Sequence, residues 1–153
     1  MIKAAVIVAT LVASPVFAGS WNGSTTDGIR LASVTTKSAD EIAVMCDVGI
    51  NAPISAITFA INGTAPMPNS SVMMQFDKDA PIYATTDIEG GIGTFAHPDV
   101  EQFNRIVGLM KSKSRVKVRL FNGATATFAL AGSSAAIGDK CAVHGDTMQM
   151  ASQ

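Results

Sequence analysis

The chain has 153 residues, 48% of them hydrophobic and 6% aromatic, and a formal charge of -1. That balance argues against nucleic acid or an anionic membrane as the main partner, and one Trp with one Tyr is too little for a carbohydrate- or base-stacking platform. After residue 18 no apolar stretch approaches the roughly 20 residues of a transmembrane helix, so no span is expected in the mature chain.

Lys3, the apolar run from Ala4 to Ser14 and the closing Val16-Phe17-Ala18 have the layout of a secretory signal peptide, with cleavage expected after Ala18. The run is too short to cross a bilayer comfortably. About 135 residues remain, the commonest size of a single domain, and losing Lys3 moves the formal charge from -1 to -2. The expected location is the periplasm or the exterior, where thiols are normally oxidised. Cys46 and Cys141 are the only cysteines and allow one pairing, against the alternatives of free thiols or a metal ligand. A bridge between them would close a loop of about 95 residues and, by chain-entropy reasoning, stabilise the fold by roughly 4 to 5 kcal/mol.

Trp21 to Asp27 is polar and aperiodic, an arm or a frayed first edge, so residues 19–28 are expected as a flexible N-terminal arm before a domain over 29–142. From Ile29 the pattern has period two. In 41–48, Ile42, Val44, Cys46 and Val48 share a face, which turns Cys46 into the core. Residues 54–61 bring Ile57, Phe59 and Ile61 together before the turn Asn62-Gly63-Thr64, and 65–69 with two prolines is a loop. Val72, Met74 and Phe76 mark the next strand, and 82–86 another before the turn at Gly90-Gly91. A helix is expected from Pro98 to Lys111, with Asp99 and Glu101 at its positive end and Val100, Phe103, Val107 and Met110 on one stripe beside Ile106.

Residues 115–121 and 124–130 then read as a hairpin joined by a two-residue turn at Asn122-Gly123, with Val116, Val118 and Leu120 facing in against Ala126, Phe128 and Leu130. Ser133 to Ile137 has cap residues followed by helix formers, and 143–153 is a polar, mobile tail. The expected fold is mainly β: one antiparallel β-sandwich of about seven or eight strands, one packed α-helix and a short C-terminal helical turn.

Four sets of residues are candidates for chemistry. Cys141, His144 and Met148, with His97 upstream, have the order of a blue-copper site, and His144, Met148 and Met150 could hold Cu(I). Against copper stand the turn-like residues before Cys141, the helix start after His97, and Cys46 as a rival partner. Arg115, Lys117 and Arg119 share one strand face, extended by Lys111 and Lys113, and could receive an acidic partner or phosphate; the plain alternative is a solvated face that blunts edge pairing. Asp77, Asp79, Asp87 and Glu89 could meet as acid and base or bind calcium, but no calcium-loop pattern is present and turn positions explain them. No nucleophile elbow, zinc-protease helix or phosphate loop occurs, because Gly90-Gly91-Ile92-Gly93 lacks a following Lys.

Several features coincide: the signal, the Trp after it, Ala43-Val44-Met45-Cys46-Asp47 on a strand, a helix before a final hairpin, and Phe128-Ala-Leu130-Ala-Gly132-Ser-Ser-Ala-Ala-Ile137-Gly-Asp-Lys-Cys141. In these the chain resembles the small exported proteins of the invasion-associated locus B type and the similar type VI secretion accessory proteins. The resemblance implies a compact β-sandwich whose strand cysteine pairs with the one after the closing motif, without known catalytic residues, and a role in host interaction or secretion support. The functional expectation is a non-catalytic periplasmic or secreted interaction module, without cofactor, whose partner is another envelope or secreted protein. A copper-binding protein and an unrecognised hydrolase using His97 or His144 are the competing classes.

Overall fold

The computed structural model describes residues 19–47, 55–94 and 97–141, without the side chains of His97 and Pro98. Alternating burial along the strands builds two antiparallel sheets. The first has five strands in the order β1 (Asn22–Thr26), β2 (Ile29–Thr35), β3 (Glu41–Asp47), β4 (Ala56–Ala60) and β7 (Ile92–Gly93). The second has four, in the order β6 (Ile82–Thr85), β5 (Ser71–Phe76), β8 (Arg115–Arg119) and β9 (Thr125–Ala129). This is the expected antiparallel sandwich, and its core lies where the period-two reading put it: Val44 and Ile57 face in from one sheet, Met74, Val118 and Phe128 from the other. A one-residue slip in any strand would carry this set to the solvent side, which fixes the register.

The helix α1 (His97–Ser112) buries Val100, Phe103, Ile106, Val107 and Met110, the stripe its 3.6-residue period requires. Side-chain hydrogen bonds tie it down at both ends. Gln102 both accepts from the Thr85 amide (3.2 Å) and donates to the Thr85 carbonyl (3.3 Å), so it satisfies the outer edge of β6 as a neighbouring strand would. At the other end Ser133 Oγ donates to the Met110 carbonyl (2.7 Å) and joins α1 to the short α2 (Ser133–Ile137). A 3-10 turn (Asp139–Cys141) ends the described chain.

Two strands differ from expectation. Asn22–Thr26, expected inside a flexible arm, is β1 and pairs with β2 over its whole length, Asn22 with Ser33 through Thr26 with Ile29. All five residues are exposed, so no buried face imposes alternation on the sequence. β7 has two residues, too few for any period to show.

The hairpin at 115–130 is also corrected. Leu120 and Ala124 close it, the Leu120 amide donating to the Ala124 carbonyl (2.8 Å), and the Gly123 amide returns to the Leu120 carbonyl (2.9 Å). The loop therefore holds three residues, Phe121, Asn122 and Gly123, and of the last two only Gly123 has positive φ, at 86°. Parity gives the reason. Val116 faces Phe128 and Val118 faces Ala126, pairings with even numbers on both strands, and a two-residue turn at 122–123 would force even against odd and expose one of the two apolar rows. Among the described residues, the turns with positive φ at two successive residues are Asp27-Gly28 (51° and 79°) and Asn62-Gly63 (52° and 71°).

Candidate functional site

The outer face of the four-stranded sheet carries the basic stripe. Arg115, Lys117 and Arg119 alternate on β8 with buried Val116 and Val118, so burial of the second pair obliges the three cations to face solvent. Their neighbours within the strands are uncharged, Met73 beside Arg119 and Gln75 beside Lys117 on β5, Thr125, Thr127 and Ala129 on β9, while Asp77, just past the end of β5, exchanges hydrogen bonds with the Arg115 backbone. None of the three cations forms an ion pair or a side-chain hydrogen bond among the described residues.

Two shallow depressions flank the stripe. At its Arg119 end, Ser71, Met73, Tyr83 and Phe121 border one of about 380 Å³, with Tyr83 65% and Phe121 73% exposed. At its other end Gln75, Asp77, Arg115, Lys117 and Thr127 border one of about 240 Å³. The face therefore grades from a lone carboxylate through three cations to two exposed aromatic rings.

The cations expected to extend this stripe are occupied elsewhere. Lys111 reaches the Gly138 carbonyl (3.0 Å) and Asp139 (3.3 Å), and Lys113 pairs with Asp79 at 2.7 Å. The hydrogen bond and charge of Asp79 hold the Lys113 ammonium above its ordinary 10.5, with Asp77 adding to the rise against a small opposing effect of burial. The carboxylates do local work. Asp77 accepts from the Ser114 and Arg115 amides (3.2 and 3.0 Å), and Asp87 from those of Glu89 and Gly91 (2.8 and 3.0 Å), while Glu89 is exposed. These are turn positions, as their spacing suggested, and among the described residues no three His, Cys, Asp or Glu come together as a metal site.

Cys46 and Cys141 form a disulfide with Cα atoms 5.2 Å apart across 95 residues, both side chains buried. This removes Cys141 from the blue-copper reading, because the sulfur such a site needs as a thiolate is already bonded. His144, Met148 and Met150 lie outside the described residues, as does the side chain of His97.

Beside the disulfide is a clamp that the sequence reading did not single out. Arg30 lies on the inward side of β2 with Ala32 and Val34, and at the sheet's end its Nε donates to the Ala136 carbonyl (2.7 Å) and a terminal nitrogen to the Ala135 carbonyl (3.1 Å). The remaining nitrogen reaches Thr25 Oγ1 at 3.2 Å. Its planar fork thus caps the carbonyl end of α2. Gly23 makes room for this: a Cβ there would stand 2.7 Å from both the Ala136 oxygen and the Arg30 guanidinium. Trp21 adds a second tie, Nε1 donating to the Ala129 carbonyl on β9 (2.8 Å). The legible signal for the clamp was an Arg in phase with the buried row of β2.

The molecule is thus a disulfide-closed antiparallel β-sandwich with one basic outer face, and among its described residues no helix is long and apolar enough to cross a membrane. The YfjT family model matches residues 19–137, and the chain belongs to that family. None of the curated proteins matches the chain. Nor does any of the solved structures.

Proposed function

We propose that the protein is a non-catalytic interaction module, exported to the periplasm or beyond, that docks another envelope or secreted protein on the outer face of its four-stranded sheet. The observation that carries this reading is the row Arg115, Lys117 and Arg119: three exposed cations without partners, held on a strand whose alternate residues are buried. Fixed backbone loses little entropy on binding, and unpaired surface charge of one sign steers an oppositely charged partner. Lys111 and Lys113 are paired and Asp77 and Asp87 cap turns, so the stripe stands out from these groups with a structural task.

Export is supported by the signal-like residues 1–18, by the disulfide, and by a family match that begins at Gly19, the first residue after the expected cleavage point. The resemblance to the invasion-associated locus B and type VI accessory proteins supports host interaction or secretion support as the setting.

Two matched threonines provide the test. Thr127 lies on the basic face and Thr58 on the outer face of the five-stranded sheet, both exposed. A photoreactive residue at each, in protein expressed in its own cells, should crosslink a partner from position 127 and not from 58. Equal crosslinking from both, or crosslinking from 58 alone, would overturn the reading.

A further inference from the structure

We infer that the ligand of the basic face is an extended acidic segment of the partner protein, with carboxylates at alternate positions and an apolar side chain at the end that reaches Tyr83 and Phe121. This rests on the docking reading above and specifies its chemistry. Residues two apart on a strand stand about 6.6 to 6.8 Å apart, and a second extended chain laid along β8 repeats its same-side residues at that interval. Three carboxylates at i, i+2 and i+4 therefore meet Arg115, Lys117 and Arg119 in step. The next same-side residue falls beside Phe121, two positions beyond Arg119, where the depression that Met73, Tyr83 and Phe121 border together with Arg119 offers apolar surface past the last cation.

The other end sets the limit of the acidic run. Asp77 borders the depression shared with Arg115 and Lys117, so a fourth carboxylate beyond Arg115 would meet a like charge. A nucleic acid or an anionic bilayer fits less well. The whole chain is near neutral with a pI of about 6.0, whereas nucleic-acid domains spread basic charge along a face, and firm attraction to anionic lipid takes a cluster of about four to eight cations.

The experiment uses a fluorescent heptapeptide, Glu-Thr-Glu-Thr-Glu-Thr-Phe, its reversed sequence, and an isomer with the three Glu contiguous, titrated with the disulfide-bonded mature protein at low and moderate salt. One of the alternating peptides should bind at least about tenfold tighter than the isomer, since contiguous acids on an extended chain cannot all face one side. Changing Arg115, Lys117 and Arg119 together to Ser should weaken binding at least about tenfold and flatten its salt dependence. Phe121→Ser should weaken it about threefold and leave the salt dependence intact, which separates the apolar contact from the charged one. Thermal melts verify that both variants fold; Tyr83→Ser serves in place of Phe121→Ser, and Lys117→Ser with Arg119→Ser in place of the triple change, where either does not.

Equal affinity for alternating and contiguous peptides, absence of binding, or tighter binding of duplex DNA or phosphatidylglycerol vesicles than of either alternating peptide would overturn the inference. Each of these results leaves the crosslink at position 127 to report separately whether the face docks a partner at all.

Discussion

Arg30 and the trio Arg115, Lys117 and Arg119 are basic residues on β-strands of the two sheets, and they have opposite relations to the rest of the molecule. Arg30 projects on the buried side of β2 and directs its donors to Ala135, Ala136 and Thr25. The trio projects on the open side of β8 and has no ion pair within the described structure. The face a residue occupies decides which it becomes: a cation in phase with the apolar row must be satisfied internally because burial of an unpaired charge is costly, whereas one out of phase is left to solvent or to a partner. The first kind should govern stability and leave binding alone; the second should do the reverse.

The largest effect tests the frame in which Arg30 works. Replacing Cys46 and Cys141 with Ala should cost about 4 to 5 kcal/mol of stability, because the bridge closes 95 residues of chain. Urea denaturation with and without reductant measures it. A loss under about 1 kcal/mol would mean that the Arg30 clamp and Trp21 hold the C-terminal segment without the bridge.

Next in size, Arg30→Ala should lower stability by about 2 kcal/mol, since hydrogen bonds from a charged donor to backbone carbonyls are among the stronger ones. Arg30→Lys should recover only part, as one ammonium cannot reproduce the fork that spans Ala135 and Ala136. Neither change should alter binding of the acidic peptides. If Arg30→Ala weakened that binding with the fold intact, the division between framing and docking cations would fail.

Lys113 stands between the two kinds, half-buried and paired with Asp79. Its value is raised in the folded state, so its contribution is fully present below the ordinary 10.5 and is lost as pH rises through the higher folded value. Asp79→Asn should therefore destabilise slightly at neutral pH, with the difference from wild type closing beyond 10.5. A difference that persists there would show that Asp79 acts through something other than the ammonium.

The sandwich was legible because seven strands bury one side only, and a half-buried strand writes its face into the sequence as alternation. The same rule explains what was not legible. All five residues of β1 are exposed, so it has no buried row, and its only local signal is the Asp27-Gly28 turn that pairs it with β2, a dipeptide as strong as Asn122-Gly123. At Asn122-Gly123 the dipeptide misled, although the facing set already in hand, Val116 and Val118 against Ala126 and Phe128, contained the parity that excludes a two-residue loop. The basic stripe could be read on its strand and face, whereas the pairing of Lys111 and Lys113 elsewhere depended on contacts 28 and 34 residues away in the chain.

The smallest effect on stability belongs to the docking cations themselves. Neighbouring charges on the stripe stand about 7 Å apart, a repulsion of at most about 0.6 kcal/mol per adjacent pair in water without salt, and the unfolded chain retains part of it. Asp77 beside Arg115 and Lys117 offsets some of the rest. Burial on β8 comes from Val116 and Val118, which the substitutions do not touch. Replacing Arg115, Lys117 and Arg119 with Ser should therefore leave stability within about 0.5 kcal/mol of wild type at moderate salt. At low salt the variant should match or slightly exceed wild type, because repulsion is removed along with the charge, and added salt should close that gap. A loss of about 2 kcal/mol or more would place these cations in the same class as Arg30, and the face would then be part of the frame rather than a surface kept open for a partner.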